Sequence, residues 1–319
     1  MSSSGEEPLP KVALVGHPNV GKTTLFNQLT GENRKVGNYP GVTVARTSAT
    51  LFTPHGHEIE LVDLPGSYSL TPNSPDEAVT RDVLLGDLEG EPPPDLVICV
   101  VDAASLERHL YFVLQVMDTG LPVIVAINQM DRADAKGLRL NRQVLADMLE
   151  VPVISCQANT GRGILQLKQS IRLQLPHPTT RRWKAPGPIE SAIHKLHAKL
   201  ETLDLKRAEA HAIHLLADTQ YRLENQPHLP REAQVEARES AAACIKHDFE
   251  PEEAIAEARF LTIRRVVQAA VVETRGEDDN LSDKIDRWAL HPIWGWAIFS
   301  GIMFALFWSI FRFAEIPME

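Results

Sequence analysis

From Lys11 to about Gln174, short runs that are apolar throughout alternate with stretches whose apolar residues recur every three or four positions. Runs such as LVICVVDA and VIVAIN suit strands buried on both faces, and the periodic stretches suit helices laid over them. The pattern predicts strands at Lys11–Gly16, Thr47–Thr53, Glu58–Asp63, Asp95–Asp102, Pro122–Asn128 and Val153–Cys156. Helices are expected over Gly21–Thr30, Leu106–Thr119, Asn141–Leu149 and Ile164–Leu175. Such alternation predicts an α/β fold, a mixed sheet with helices on both faces, over residues 11–175.

The pattern then changes. Residues 176–187, dense in proline and basic side chains, read as a linker. Beyond them Ile189, Ile193, Leu196, Leu200 and Leu203 fall at helical spacing, and similar stripes run through Ala208–Asp218, Arg231–His247 and Pro251–Thr274. Residues 188–275 are therefore expected to form a small all-helical domain without strands, followed by a polar hinge over 276–291. Pro292–Phe311, PIWGWAIFSGIMFALFWSIF, is an uncharged run of 20 residues with tryptophans near both ends. At ~1.5 Å per residue it spans a ~30 Å hydrocarbon core, so a transmembrane helix in contact with lipid is expected over 292–313. Lys284 and Arg287 just before it favour a cytoplasmic N-terminal side.

Composition narrows the classes. A formal net charge of −10 opposes broad attraction to nucleic acid, and no nucleic-acid partner is expected. Three cysteines, Cys99, Cys156 and Cys244, lack metal-ligand spacing and suit a reducing compartment. The histidine pairs His194/His197 and His211/His214 have no Cys or carboxylate cluster to complete a metal site. MSSSGEEPLP has neither the basic n-region nor the apolar h-region of a secretory signal and reads as a disordered lead-in, residues 1–10.

The candidate chemistry lies at strand ends. GHPNVGKT, Gly16–Thr23, fits G-x-x-x-x-G-K-[ST] between an apolar strand and a helical pattern, the context that motif requires. Gly16 and Gly21 let the backbone of His17, Pro18, Asn19, Val20 and the turn up to Thr24 wrap the phosphates with its N–H groups, proline alone lacking a donor. Lys22 is expected on the β- and γ-phosphates and Thr23 on Mg²⁺. In DLPG, Asp63, Leu64, Pro65 and Gly66, the carboxylate is placed to hold Mg²⁺ through water and the Gly66 N–H to meet the γ-phosphate. In NQMD, Asn128, Gln129, Met130 and Asp131, the Asp131 carboxylate can accept the N1–H and N2–H of guanine, a donor pair that adenine lacks. Ser155, Cys156 and Gln157 stand where a backbone N–H would contact the guanine O6. Between the P-loop and DLPG, Gly41, Val42 and Thr43 sit in a Gly/Pro-punctuated loop. Thr43 is its candidate switch residue, binding Mg²⁺ when the γ-phosphate is present. These segments predict a Ras-like P-loop GTPase with GTP/GDP as ligand.

Together, GHPNVGKTTLFNQLTG, VGNYPGVTV, DLPGSYSL and NQMD resemble the N-terminal cytosolic part of the ferrous-iron transport protein B (FeoB) family. The resemblance is strong over the G domain and looser through the helical region, which looks like that family's domain proposed to slow GDP loss. DKIDRWALHPIWGWAIF looks like the entry into the first membrane helix. It implies a GTPase module coupled to Fe²⁺ uptake at the inner membrane, with both folded domains in the cytoplasm. It also implies Thr23, Thr43 and Asp63 at Mg²⁺, and catalytic roles for Lys22, Thr43 and Asn19. Asn19 matches the family's P-loop Asn that helps hold K⁺ as an activator. Ser67 stands where Ras-like enzymes carry a water-orienting Gln, which implies slow intrinsic turnover. The family's permease has many membrane helices; that region, small accessory proteins and further copies of the chain are the implied partners. A soluble ribosome-assembly GTPase with an RNA-binding appendage shares the G boxes but predicts a basic appendage. A P-loop ATPase or kinase is opposed by NQMD.

Overall fold

β1 (Lys11–Gly16, KVALVG) is buried at all six positions, as an apolar run must be at the centre of a covered sheet. In a computed structural model of the chain, residues 9–31, 34–54, 56–72, 74–175, 177–218, 229–273, 291 and 294–314 are described. β1 lies between β4 (Glu58–Asp63) and β5 (Leu96–Asp102), parallel to both. On one side the sheet continues through β3 (Ala45–Phe52) to the edge strand β2 (Lys35–Asn38), both antiparallel to their neighbours. On the other it continues in parallel through β6 (Val123–Asn128) to β8 (Val153–Ser155). This seven-stranded mixed sheet has the order β2-β3-β4-β1-β5-β6-β8. The α/β class is as expected.

Helices cover both faces. α1 (Lys22–Thr30) and α6 (Ile164–Gln174) send Leu25, Phe26, Leu29, Leu167 and Ile171 onto the face formed by Val12, Leu14, Ile98 and Ile124. The opposite face, with Ala13, Val15, Val97 and Val125, packs against α2 (Pro75–Leu85), α3 (Leu106–Met117) and α5 (Arg142–Leu149). α2, which the sequence pattern does not announce, starts where the Ser74 hydroxyl accepts a hydrogen bond from the Glu77 N–H at 3.3 Å. Pro75 takes the first turn.

The second core runs on without a break into α7 (Gly187–Thr202), α8 (Ala208–Ala217), α9 (Arg231–Ile245) and α10 (Pro251–Ala270). The apolar stripe Ile189, Ile193, Leu196 and Leu200 is fully buried there. The proline-rich segment before α7 is neither helix nor strand, yet it is fastened. The Thr179 hydroxyl shares its single proton between the Met117 and Leu121 carbonyls, at 3.0 and 2.8 Å, and the Trp183 indole N–H donates to Asp118 at 2.9 Å. Asp118 also pairs with Arg259 of α10 at 2.8 Å, both being at most 2 % exposed. The Arg259 guanidinium lies over the rings of Trp183 and Tyr111 at 5.1 and 5.8 Å. One ion pair thus joins α3, the proline-rich segment and α10.

A strand also appears where only helix is expected. α10 stops at Ala270, and β9 (Val271–Glu273) pairs antiparallel with β7 (Leu138–Leu140). Two consecutive β-branched residues favour the extended backbone there, and β7 supplies the partner.

Residues 1–273 form one compact unit and 274–319 a second. Within the second, α11 covers Trp294–Ala314. The transmembrane helix expected over 292–313 is not shown: among the described residues no helix is long and apolar enough to cross a membrane. Pro292, Ile293 and the side chains after Ile310 lie outside the described residues, as do the 1–8 part of the lead-in and all of the 276–291 hinge except His291.

Candidate functional site

The loop from β1 to α1 turns at the C-terminal end of the central strand, where ligands bind in open α/β sheets. A Cβ on Gly21 (φ 86°) would come within 2.4 Å of the Asn128 amide, and one on Gly16 within 2.5 Å of the Val100 carbonyl. Both positions therefore require glycine: the loop is pressed against β5 and the end of β6. Asn19 adopts φ 65°, the left-handed region that asparagine tolerates. Thr23 and Thr24 open α1 and are exposed.

Asn128 fixes this loop to its surroundings. Its amide donates to the Val20 carbonyl at 2.8 Å, and its side-chain oxygen accepts from the Ala158 N–H at 3.1 Å. Gln129, at φ 59°, donates its amide to the Asn19 carbonyl at 3.1 Å. NQMD thus ties together the P-loop and the loop after β8. Asp131 stands exposed in the first turn of α4 (Met130–Ala135), and Met130 is half-buried. Cys156 is buried, its N–H bound to the Ile127 carbonyl and its thiol pushed up to about 12 by burial. Ser155 and Gln157 flank it. A Cβ on Gly163 would strike the Ser155 carbonyl at 2.2 Å, so this glycine sets the shape of the loop.

Asp63 ends β4, and its carboxylate accepts a hydrogen bond from the Lys22 ammonium at 2.5 Å; the same ammonium donates to the Leu64 carbonyl at 2.6 Å. Burial raises the Asp63 pKa, and Lys22 opposes that shift. The ammonium shows that the carboxylate accepts a cation here. Gly66 abuts Pro18, where an added Cβ would stand 3.2 Å away. The Ser67 N–H bonds the Gly16 carbonyl at 3.2 Å. The DLPG loop is thereby held against the P-loop. Thr43 does not join this group. It is exposed in a loop closed by the Tyr39 N–H on the Val44 carbonyl at 2.9 Å, with Gly41 at φ 73° and Val42 exposed.

Several supporting residues carry no motif. The Thr80 hydroxyl donates to the Pro65 carbonyl at 3.1 Å, Glu77 accepts from the Tyr68 N–H at 3.0 Å, and buried Gln115 accepts from the Leu70 N–H at 3.0 Å. Through these, α2 and α3 hold DLPGSYSL. Tyr39 is buried beneath the Thr43 loop, its hydroxyl held above its usual pKa by burial, with Glu91 adding to the shift. Arg46 of β3 links Glu60 and Glu91, and Lys11 pairs with Glu91 as well. Glu77 alone had a local signal, its position three residues after a helix-capping serine. Among the described residues no cluster of three or more His, Cys, Asp or Glu could hold a metal.

A strand, a glycine-pinned loop and a helix N-terminus, flanked by an aspartate from one neighbouring strand and an Asn-x-x-Asp box from another, define a P-loop protein of the guanine-nucleotide-binding class. The family model for ferrous iron transport protein B matches residues 10–171, and the chain belongs to that family. The Fe(2+) transporter FeoB of Leptospira biflexa is 34% identical over an alignment of 319 positions that covers 97% of this chain and 44% of that protein. The Fe(2+) transporter FeoB of Escherichia coli K12 is 32% identical over an alignment of 308 positions that covers 93% of this chain and 38% of that one. The chain thus spans less than half the length of these relatives. The crystal structure of the cytosolic domain of the T. maritima FeoB iron transporter in a GDP form superimposes with a TM-score of 0.68 at 33% identity, covering 84% of this chain and 100% of that one.

Proposed function

We propose that this chain binds GTP with Mg²⁺, hydrolyses it slowly, and acts as the regulatory GTPase module of a ferrous-iron transporter of the cell (inner) membrane, with residues 11–273 on the cytoplasmic side. The observation that carries the reading is Asn128, which joins the P-loop and the loop after β8 in one buried hydrogen-bonded unit beside Asp131. A purine between Asp131 and the 155–157 loop would then be read as guanine, because the carboxylate pairs with two ring donors.

The residues fit Mg²⁺ as a hard cation that takes oxygen ligands, Thr23 and Thr43 supplying hydroxyls and Asp63 a carboxylate. That ion would neutralise charge developing on the phosphate oxygens. Lys22, now on Asp63, would transfer its ammonium to the phosphates, a short swing about a flexible stem. Thr43 would close over the γ-phosphate as its loop folds. Ser67 has no reach comparable to a glutamine, so water positioning falls to switch backbone. The exposed Asn19 amide would serve as a neutral ligand to K⁺, which would take the place of an arginine's positive charge beside the phosphates. The apolar run at 292–313 would lead into a lipid-embedded permease region, to which the GTP or GDP state would be signalled.

Nucleotide binding and hydrolysis by the purified chain, in K⁺ and then in Na⁺, tests this. Tight GTP and GDP binding without ATP binding, and hydrolysis several-fold faster in K⁺, are expected. Equal rates in both salts would remove the K⁺ role, and absence of guanine selectivity would overturn the reading as a whole.

A further inference from the structure

From Arg34 to Thr43 the chain runs along the edge of the sheet and through the loop that carries Thr43, and in that stretch only the Tyr39 side chain is buried. β2 is the edge strand, and its backbone pairs with β3 alone, Gly37 facing Arg46 and Asn38 facing Ala45. Its side chains are exposed at every position and gain nothing from burial. The contact of Arg34 with Asn27 is exposed as well. The whole stretch is thus held to the body by one short ladder and one ring.

The two ends of the Thr43 loop are fastened by different means. On the β3 side Val44 is buried, and Arg46 donates to Glu91 at 3.0 Å, to Glu60 at 2.9 Å and to the Ser48 hydroxyl at 3.0 Å. Lys11 of β1 holds the same Glu91. On the β2 side the fastening is Tyr39. Its ring is 1 % exposed and lies in the core with Val62, Leu64 and Val83, but among the described residues its hydroxyl has no hydrogen-bond partner. Glu91, whose charge acts on that hydroxyl, is taken up by Lys11 and Arg46. A buried ring of this size holds by its area, while a buried hydroxyl left unpaired gives part of that hold back. Withdrawn into water, the hydroxyl would be satisfied. The β3 side is cross-linked by charge to β1 and β4; the β2 side hangs on one ring with a built-in cost, and it is the side that yields when the loop moves.

We infer, resting on the switch role proposed for Thr43, that Tyr39 is the residue that positions it: with the ring in the core the Thr43 loop stands open, and with the ring withdrawn the loop, hinged at Arg46, carries Thr43 over the γ-phosphate. The Tyr39 N–H also bonds the Val44 carbonyl at 2.9 Å across the base of the loop, so withdrawal frees main chain and side chain together. GTP binding then works against the burial of the ring, whereas GDP binding does not. A change at Tyr39 shifts the ratio of the two affinities through the fraction of chains already released.

The full chain would be labelled with 3-fluorotyrosine and followed by ¹⁹F NMR, Tyr39→Phe supplying the assignment. With GDP and Mg²⁺ the Tyr39 fluorine should show no shift between H₂O and D₂O. With Mg²⁺ and the non-hydrolysable GTP analogue GMPPNP it should acquire the solvent isotope shift of an exposed ring. Tyr39→Phe keeps the ring and removes the unpaired hydroxyl, so the affinity for GMPPNP relative to GDP should fall about five-fold or more, the low end of what an unpaired buried hydroxyl costs. Tyr39→Ser has no ring to bury and should raise the same ratio. A Tyr39 signal that stays buried with GMPPNP bound, a ratio unchanged by Tyr39→Phe, or a ratio that falls in both variants would overturn the role of Tyr39 and leave the GTPase reading standing. Failure of the unmutated chain to bind guanine nucleotide would overturn both.

Discussion

Replacing Arg259 by leucine should destabilise residues 9–273 far more than its single ion pair suggests. In the folded chain Arg259 donates to Asp118 Oδ2 from both Nε and Nη2, at 3.2 and 2.8 Å, and both side chains are buried. Leucine keeps much of the volume but leaves the Asp118 carboxylate, among the described residues, with the Trp183 indole as its remaining side-chain hydrogen-bond donor and Arg181 as a more distant charge. Breaking a buried pair from one side costs about 3–5 kcal/mol, because the remaining charge is stranded. With a urea dependence near ~3 kcal/mol per M, that moves the unfolding midpoint down by about 1–1.7 M. The double variant Asp118→Asn/Arg259→Leu removes both charges and should recover a large part of the loss. Equilibrium urea unfolding followed by far-UV circular dichroism would measure both. A midpoint for Arg259→Leu within about 0.3 M of the parent, or 1 kcal/mol on the same slope, would refute the argument, as would a double variant no better than the single one.

The stacked rings of His17 and His109 should make stability fall as the solution is acidified. Both pKa values are lowered to about 4 by burial first, so each ring contributes stability that is complete above the unfolded value of 6.5 and is lost as pH falls to about 4. The loss per ring is on the order of 2–3 kcal/mol by pH 4, and His109→Phe should flatten the slope between pH 6.5 and 4 in thermal melts; an unchanged slope would count against the burial argument. On the proposed role of Thr43, engaging only around a γ-phosphate, Thr43→Ala should keep GDP affinity within about three-fold while lowering hydrolysis at least ten-fold; equal losses in both would point to misfolding. Asp131→Asn should weaken GTP binding by roughly 10²-fold or more and favour xanthosine triphosphate, whose C2 oxygen complements an amide, as competition binding would reveal.

How far the chain could be read before its structure depended on the range of each signal. β1, β5 and β6 announce themselves because apolar runs need no partner to be recognised, and the P-loop, DLPG and NQMD are fixed spacings beside those runs. α2 stayed hidden because PDEAVTRDVLL mixes buried Glu77, Thr80 and Arg81 into its apolar face. The short strands β7 and β9 are three residues each and exist only through one another. The Asp118–Arg259–Trp183 junction joins an acid, a base and an indole that are ordinary where each stands. Arg259 occupies what looks like a solvated position of a helix, and 141 places separate it from its partner. In the same way, nothing in GHPNVGKT says that His17 stacks on His109 of α3.

The β7–β9 pair carries a consequence for how this unit comes off the ribosome. Leu138 is paired with Glu273, and the Asn141 N–H with the Ala270 carbonyl at 2.7 Å, so the contact closes a loop of well over a hundred residues. Closure of such a loop costs little more than closure of one half as long, but it cannot occur until the distal strand has been synthesised. Until then β7, next to the turn that bears Asp131, is an unpaired edge open to other chains. A nascent chain that has emerged as far as Leu175 holds every guanine-nucleotide box and still lacks the strand that covers the segment following the last of its α4 turns. Nucleotide bound at that stage would have to stabilise a sheet whose neighbour is nearly a hundred residues from being made.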